Sequence, residues 1–395
     1  MYLCRQNDVF MHKILTFDNA EARIFGFDGG TEVEEFHLVL SVTNPMLPYR
    51  EQLEAIFSAY NEAKNSLTSG AEPVFKRYFL SDASNQIELL TTRETESTDC
   101  AVSIIQQPPL NGTKLALWAY LTTNMERKRL ENGLFEARHG AYRHLWLANA
   151  CDTSENSETQ TRILLKNYVQ HLENEGVSLA DNCVRTWFFV NEVDLNYMGV
   201  VKARNEVFAT QNLTDQTHFI ASTGIGGRQA DAQVLAQMDA YAIDGIQQTQ
   251  IGFLYAPTHL NRTSDYGVAF ERGTFVDYGD RRHVFISGTA SIDNKGEIVH
   301  HGDVVAQCRR MWENVEALLA EADCSFDDAA QMIVYLRDPA DYTTIKKLFE
   351  ERFPEKPWVI VHGKVCRPGW LIEMEMIAIK AQKTEFPELY RSSDL

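Results

Sequence analysis

Two glutamates stand two positions apart in the last apolar segment of the chain, LIEMEMIAI at residues 371–379. Because side chains alternate along a β-strand, Glu373 and Glu375 share one face while Met374 and Met376 point the other way. A carboxyl group buried in a cleft on that face would have a raised pKa and would keep its proton near neutral pH, as a general acid must. The alternative is an ordinary carboxylate on a strand-pairing surface.

The overall composition excludes several classes of function. The 395 residues carry a formal net charge of −18, and no basic patch is present that would attract nucleic acid. No stretch approaches 18 apolar residues, and the first residues lack the apolar core of a secretory signal, so we expect no membrane span and no export. The seven cysteines are scattered and form no C-x-x-C pair, which favours reduced thiols over disulfides or a zinc site. We therefore predict a cytoplasmic protein with no metal and no cofactor.

Two parts of the chain repeat at a constant offset of 147 residues. The segment QTRILLKN corresponds to QCRRMWEN, and the correspondence continues through the residues that follow. The matched pairs are Gln160 and Gln307, Leu172 and Leu319, Ser178 and Ser325, and Asp181 and Asp328. A constant offset of this kind is the signature of tandem structural repeats.

Each copy has the same predicted plan. An apolar strand and a polar loop precede an amphipathic helix, and a turn with Ser and Asp in capping positions leads to a second strand. A second helix and two closing strands complete the unit. The N-terminal region has the outline of a third copy, in which we expect the second helix to be missing or much shortened around residues 83–98. The segment 246–279 is longer than a linker needs to be, which is typical of a site loop.

The C-terminal copy resembles the Rid superfamily, whose members are also called YjgF-like or endoribonuclease L-PSP-like. The resemblance rests on four segments: SGTASI at 287–292, GDVVAQ at 302–307, NVEALLAEA at 314–322 and IEMEMIA at 372–378. Members of that superfamily form trimers of an α+β, chorismate-mutase-like fold, with ligand sites in the clefts between subunits. The resemblance thus implies three tandem units with mixed or antiparallel sheets packed by helices, folded as a monomer with an internal pseudo-threefold arrangement. We divide the chain into units at 1–135, 136–245 and 280–395, joined by a connecting or site loop at 246–279.

A narrower resemblance, over roughly residues 182–380, is to the chorismatase branch. It rests on VRTWFFV, KARNEVF, ASTGIGG at 221–227, FERG at 270–273 and VCRPGWLIEME. Chorismatases cleave chorismate to pyruvate and a dihydroxycyclohexadienoate or a hydroxybenzoate. The resemblance implies hydrolysis of the enolpyruvyl ether of chorismate or a related acid, a small anionic organic substrate.

The same resemblance implies roles for individual residues. Glu373 would be the general acid, and Cys366 would line the pocket without acting as a nucleophile. The residues expected to bind substrate are Arg204, Arg272, Gly224, Gly226, Gly227 and Glu375, the glycines through backbone N–H groups that a carboxylate can approach closely. Alternatives stay open for each of these roles. Arg204 could be salt-bridged on its helix, and Arg281 or Arg282 could take the role given to Arg272. Cys366 could be a buried structural residue, and the glycine run could be only a bulged edge strand.

Comparison of the copies selects one cleft. At the positions of Glu373 and Glu375 the middle copy has Gln237 and Asp239. The N-terminal copy has Ala116 and Trp118 there, so the last copy alone keeps both carboxylates.

Two other functions remain as alternatives. Rid deaminases keep an arginine just after the proline that opens the first closing strand, but here PWVI at 357–360 and AST at 221–223 contain none. This disfavours enamine or imine deamination, which is the second hypothesis. A non-catalytic small-molecule-binding protein is the third.

Overall fold

Three units of similar build follow one another along the chain in the computed structural model, which describes residues 10–389. The first unit comprises β1 (Phe10–Thr16), β2 (Ala20–Asp28), β3 (Glu34–Val42), α1 (Tyr49–Asn65), β4 (Glu72–Leu80), α2 (Ala83–Glu94), β5 (Ala101–Gln106) and β6 (Leu115–Thr122). The second comprises β7 (Glu126–Arg129), β8 (Phe135–His139), β9 (Tyr142–Cys151), α3 (Ser157–Asn174), α4 (Leu179–Asn182), β10 (Cys183–Val190), α5 (Val193–Thr210), β11 (Ala221–Gly226) and β12 (Ala236–Asp244). The third comprises β13 (Ile251–Leu254), β14 (Gly273–Asp277), β15 (Arg281–Ala290), α6 (Val304–Glu321), β16 (Ala329–Leu336), α7 (Tyr342–Arg352), β17 (Trp358–His362) and β18 (Ile372–Ala381).

Each unit folds into a six-stranded sheet with the same strand order. The orders are β1-β2-β3-β6-β4-β5, then β7-β8-β9-β12-β10-β11, then β13-β14-β15-β18-β16-β17. In every sheet one pair is parallel, namely β4 with β5, β10 with β11, and β16 with β17, while the other pairs are antiparallel. The predicted α+β class with three tandem units and mixed sheets is confirmed.

Local sequence signals explain where the helices begin. The side chain of Asn156 accepts a hydrogen bond from the N–H of Thr159 at the start of α3, and Asp303 does the same for Ala306 at the start of α6. Ser178 and Ser325 cap the short helical turns before β10 and β16, as their spacing from Asp181 and Asp328 predicts. The apolar face of each long helix then packs on its own sheet.

The structure differs from the sequence prediction at three places. The second helix of the first unit, expected to be missing or much shortened, is present as α2, because Gln86 and Leu90 are buried against the sheet although the segment is mostly polar. The segment 246–279 contains β13 and β14, which begin the third sheet. Likewise β7, before residue 136, belongs to the second sheet. These strands have four or five residues, too short for alternation to reveal them.

The three units close into a ring around a pseudo-threefold axis. The N–H of Gln106 in the first unit donates to Arg228 O in the second at 2.8 Å, and Gly226 N in the second donates to Lys364 O in the third at 2.9 Å. The N–H of His362 in the third unit donates to Pro108 O in the first at 2.8 Å and completes the circuit. The three bonds therefore lie at equivalent places, at the C-terminal ends of β5, β11 and β17.

Two further findings concern the described part of the chain as a whole. No helix within residues 10–389 is long and apolar enough to cross a membrane. Six cysteines there are free thiols, and Cys4 lies outside the described residues.

A buried ion pair ties the third unit to the first. Arg281 donates from Nη1 to Glu35 Oε2 at 2.9 Å and from Nη2 to Val33 O at 2.7 Å, and both charged side chains are inaccessible to solvent. His283 Nε2 lies 2.8 Å from the same carboxylate oxygen.

We expect Arg281→Met to lower the free energy of unfolding by about 3–5 kcal/mol, because it leaves the buried charge of Glu35 without its guanidinium partner. Urea denaturation measures the change. The exposed pair of Lys347 and Glu351 provides the control, since Lys347→Met should alter stability by less than about 1 kcal/mol. Equal effects of the two substitutions would contradict the prediction.

Candidate active site

A pocket lies at the junction of the second and third units. Its second-unit wall comes from α5 and β11, and its third-unit wall from the segment before β14, from β15, from the β17–β18 loop and from β18. The lining residues are Tyr197, Met198, Val201, Arg204, Ser222, Gly224, Gly267, Val268, Phe270, Arg272, Gly288, Ala290, Ile292, Cys366, Arg367, Trp370 and Glu373. The cleft thus brings together most of the residues that the sequence analysis singled out.

Glu373 is buried at the base of this pocket, on the central strand of the third sheet. It pairs with Ala290 of β15 on one side and with Tyr335 of β16 on the other. Burial raises the pKa of Glu373 to about 8, with a further upward contribution from the charge of Glu375. Arg272 and Arg185 act in the opposite direction but more weakly. The carboxyl group is therefore mostly protonated at neutral pH.

The backbone of β15 makes room for this carboxyl group. A bulge interrupts the pairing of β15 with β18 between Ile286 and Thr289, and Gly288 lies under the carboxyl group. A Cβ atom at Gly288 would come within 2.3 Å of Glu373 Oε1. The glycine in the SGTASI segment is thus required by the position of the acid.

Arg204 enters the pocket from α5 as a buried cation. It is 1% exposed, and within residues 10–389 neither its Nε nor its Nη2 has a hydrogen-bond partner. The rings of Phe188 and Phe270 flank the guanidinium at 5.9 and 5.8 Å. A buried guanidinium with unsatisfied N–H groups facing a cleft is suited to bind a carboxylate.

Two further arginines line the opposite side. Arg272 is held in place by Asn261, whose backbone oxygen accepts from Nε and Nη2 at 3.2 Å and whose Oδ1 accepts from Nη2 at 3.0 Å. Arg367 lies over the ring of Trp370 at 4.8 Å. Sequence reasoning did not single out Arg367, although it lies inside the VCRPGW segment. The alternatives to Arg272 lie elsewhere: Arg281 binds Glu35 and Arg282 binds Asp277.

Cys366 lies beside Glu373 as a neutral thiol. Burial raises the pKa of Cys366 to about 12, and the charge of Glu373 acts in the same direction. A hydrogen bond with Tyr197 partly offsets these effects. Because the thiolate is the nucleophilic form of cysteine, Cys366 is suited to line the pocket rather than to attack a substrate.

The glycine run in β11 has two separate roles. Gly224 lines the pocket, where a Cβ atom would meet the ring of Tyr197 at 2.8 Å. Gly226 and Gly227 do not line it. Their N–H groups donate to Lys364 O and Val190 O, and Cβ atoms there would press on the backbone of Lys364 and the side chain of Ile105. These two glycines pack units together and their N–H groups are engaged by backbone oxygens, so their binding of a substrate carboxylate stays a prediction.

Glu375 lies behind the pocket rather than in it. Its Oε2 accepts from Arg185 Nη2 at 2.7 Å and its Oε1 accepts from Trp187 Nε1 at 2.9 Å. Both of its oxygens are thus engaged by the second unit, and the expected contact of Glu375 with a substrate stays a prediction.

The other two junctions lack an acid at the equivalent position. The strand register shows which residues are equivalent to Glu373. Glu373 of β18 pairs with Tyr335 of β16, and in the same way Ala116 of β6 pairs with Phe79 of β4 and Gln237 of β12 pairs with Phe189 of β10. The amide of Gln237 donates to Ile104 O and Asn149 Oδ1.

Among residues 10–389 no group of three or more His, Cys, Asp or Glu side chains could hold a metal ion.

The raised pKa of Glu373 predicts a measurable effect on stability. Between its ordinary pKa of 4.5 and about 8, the folded chain holds a proton that the unfolded chain has released. The free energy of unfolding therefore falls as pH rises through this window, by about 1.4 kcal/mol per pH unit for this group. Glu373→Gln should gain stability relative to the parent protein as pH rises from 5 to 8, measured by urea denaturation at each pH. The exposed substitution Glu313→Gln should show a constant difference, and the same constancy in Glu373→Gln would refute the assignment.

Comparison with known proteins agrees with the architecture. The family described as endoribonuclease L-PSP matches residues 271–380. A 3-aminoacrylate deaminase, RutC, of Acinetobacter baylyi is 34% identical over 97 residues, which are 24% of this chain and 77% of that protein. A chorismatase of Streptomyces rapamycinicus is 26% identical over 210 residues, 48% of this chain and 62% of that protein.

The fold extends beyond the matched sequence. A crystal structure of a chorismatase superposes with a TM-score of 0.62 at 19% identity, covering 79% of this chain and 95% of that chain. This likeness shows a shared fold across most of the three units. The RutC match, at 34% identity over 77% of that protein, shows that the chain belongs to the Rid/YjgF superfamily, which includes the endoribonuclease L-PSP and RutC proteins.

Proposed function

We propose that this protein hydrolyses the enolpyruvyl ether of chorismate, or of a closely related acid, and releases pyruvate. The observation that carries the proposal is a protonated carboxyl group, Glu373, facing a cleft with two buried guanidinium groups, Arg204 and Arg272. The similarity to a chorismatase in sequence and in fold supports it.

The proton of Glu373 matches the first step of this chemistry. An enol ether is activated by protonation of its terminal methylene carbon, and carbon accepts protons slowly, so a positioned acid is needed. A pKa of about 8 keeps the proton on the carboxyl group at neutral pH while leaving it acidic enough to donate. General acid catalysis of this kind contributes about 10²–10⁴-fold.

The remaining steps balance with water alone. The π electrons of the enol ether form the new C–H bond with the proton from Glu373, which leaves an oxocarbenium ion and a carboxylate. Water adds to the cationic carbon and its proton returns to Glu373. The resulting hemiketal then breaks its bond to the ether oxygen. Pyruvate is released, and that oxygen stays on the carbocyclic ring as a hydroxyl group. No redox partner or metal enters this sequence.

The charges of the cleft fit a substrate with two carboxylates. Nε and Nη2 of Arg204 have no hydrogen-bond partner in the described part of the chain, and Arg272 is held rigidly by Asn261. With Glu373 neutral, Arg204 and Arg272 offer one cation to each carboxylate of a dianion. Cys366 and Trp370 provide the apolar surface for a carbocyclic ring.

The deaminase alternative has a specific difficulty. In the middle unit the expected arginine position falls in the first closing strand, where Ser222 lines the pocket. We therefore expect little ammonia release from 2-aminoacrylate.

Incubation of the purified protein with chorismate should release pyruvate. The pyruvate is measured by its reduction with lactate dehydrogenase and NADH. Glu373→Gln should lower kcat by about 10²–10⁴-fold because it removes the proton donor. In the parent protein kcat should fall as pH rises through about 8, where Glu373 loses its proton. The surface variant Glu313→Gln should retain parental activity. Absence of pyruvate from the folded parent protein, or ammonia release from 2-aminoacrylate as its main activity, would overturn the proposal.

Arg204→Met should raise KM for chorismate more than it lowers kcat, because the lost interaction is with a carboxylate present in both the ground state and the transition state. Steady-state kinetics with the pyruvate assay give the two constants separately. Lys202→Met removes an exposed cation two residues earlier on α5, where Lys202 binds Glu158, and should leave both constants unchanged. A kcat effect without a KM effect at Arg204 would contradict the assigned binding role.

A further inference from the structure

A buried cluster of charges from all three units lies directly behind Glu373. Arg77 of the first unit donates from Nη2 to Asp239 Oδ2 of the second at 2.9 Å, and its Nη1 lies 3.5 Å from Glu375 Oε1 of the third. Arg185 of the second unit completes the cluster through Glu375 Oε2 at 2.7 Å. These four side chains are at most 2% exposed.

The charges in this cluster cancel without Glu373. Two guanidinium groups, Arg77 and Arg185, face two carboxylates, Asp239 and Glu375, and each carboxylate is in a direct ion pair. Within residues 10–389 no cation lies in salt-bridge distance of Glu373. A third negative charge in this buried region would have no partner, so the neutral form of Glu373 is the balanced one.

The groups that face Glu373 come from several elements. Glu375 is two residues along β18 on the same face, roughly 6.6 Å away along the strand. Arg185 faces it from β10, Arg272 from the segment before β14, and the Cys366 thiol from the β17–β18 loop. The phenol of Tyr335 on β16 is neutral, since burial raises its pKa well above its ordinary value. Glu375 is therefore the one anion in this set that opposes ionisation of Glu373.

We propose that Glu375, held in place by ion pairs with Arg185 of the second unit and Arg77 of the first, is the positioning residue that favours the acid form of Glu373. The N-terminal unit, which has no carboxylate at either equivalent position, then acts in the reaction through Arg77. The inference rests on the proposed role of Glu373 as the proton donor.

Trp187 and Thr223 make the arrangement rigid. The indole N–H of Trp187 binds Glu375 Oε1 at 2.9 Å, and Thr223 Oγ1 accepts from Arg185 Nη2 at 2.6 Å and from Gly288 N at 3.0 Å. The last contact joins the cluster to the glycine beneath Glu373. Because Glu375 cannot turn away from Glu373, its charge acts on the acid at a constant distance.

The experiment compares the alkaline limb of the kcat–pH profile in Glu375→Gln and in the parent protein. Loss of the anion leaves Arg185 unopposed beside Glu373, so the limb should move to lower pH by at least about one unit, a tenfold change in proton affinity. Arg77→Met should move the limb the opposite way, since it removes a cation while leaving both carboxylates. Arg77→Lys preserves the charge and should restore the parental limb.

The carboxyl titration of Glu373, followed by infrared difference spectroscopy against Glu373→Gln, gives a readout that needs no turnover. If the parent protein releases no pyruvate, the proposed function fails, and this titration still decides the present inference. An unchanged midpoint in Glu375→Gln overturns it; where that variant does not fold, equal midpoints in Arg77→Met and Arg77→Lys overturn it.

Lys76→Met provides the matched control. Lys76 is the neighbour of Arg77 in β4 and is equally buried, but it points to the opposite face, where it binds Glu94 at 2.6 Å. Its loss should lower stability and leave the Glu373 midpoint in place. A shift as large as that of Glu375→Gln would assign the effect to general destabilisation and reject the proposal.

Discussion

The structure depends on how charge is neutralised where the three sheets face one another around the pseudo-threefold axis. Ionised groups removed from water are tolerated only when they are paired. Arg77, Asp239, Glu375 and Arg185 form ion pairs with one another across all three units, and Arg281 pairs with Glu35 between the third unit and the first. These contacts join the units, and among residues 10–389 they leave Glu373 without an ion pair of its own.

The divergence of the three copies follows from this arrangement. The position of Glu373 is occupied by Ala116 in the first unit and Gln237 in the second, and the position of Glu375 by Trp118 and Asp239. An alanine and an amide carry no charge to neutralise, so two junctions could be packed for stability. The third junction keeps a buried acid and the arginines that face it. A chain with three copies can divide structure and chemistry in this way, whereas an assembly of identical subunits keeps every site alike.

The positions along strands were the most predictable part of the site. Alternation in residues 371–379 places Glu373 and Glu375 on one face, and both do face the neighbouring units. Their separate environments were not predictable, because only folding shows that Glu375 meets Arg185 while Glu373 meets the cleft. Gly226 and Gly227 show the same limit: a glycine run allows close approach, but its composition does not say whether a ligand or another strand approaches.

The sequence by itself determined the three-copy architecture, the strand that carries the acid and the copy that retains it. These properties reside in periodicity and in internal comparison, which are visible along the chain. Tertiary structure decided which arginines face the pocket, that α2 forms, and that Arg77 of the first unit reaches Glu375 of the third. Those outcomes depend on contacts between residues far apart in sequence, where burial and charge pairing act in three dimensions and leave no local pattern.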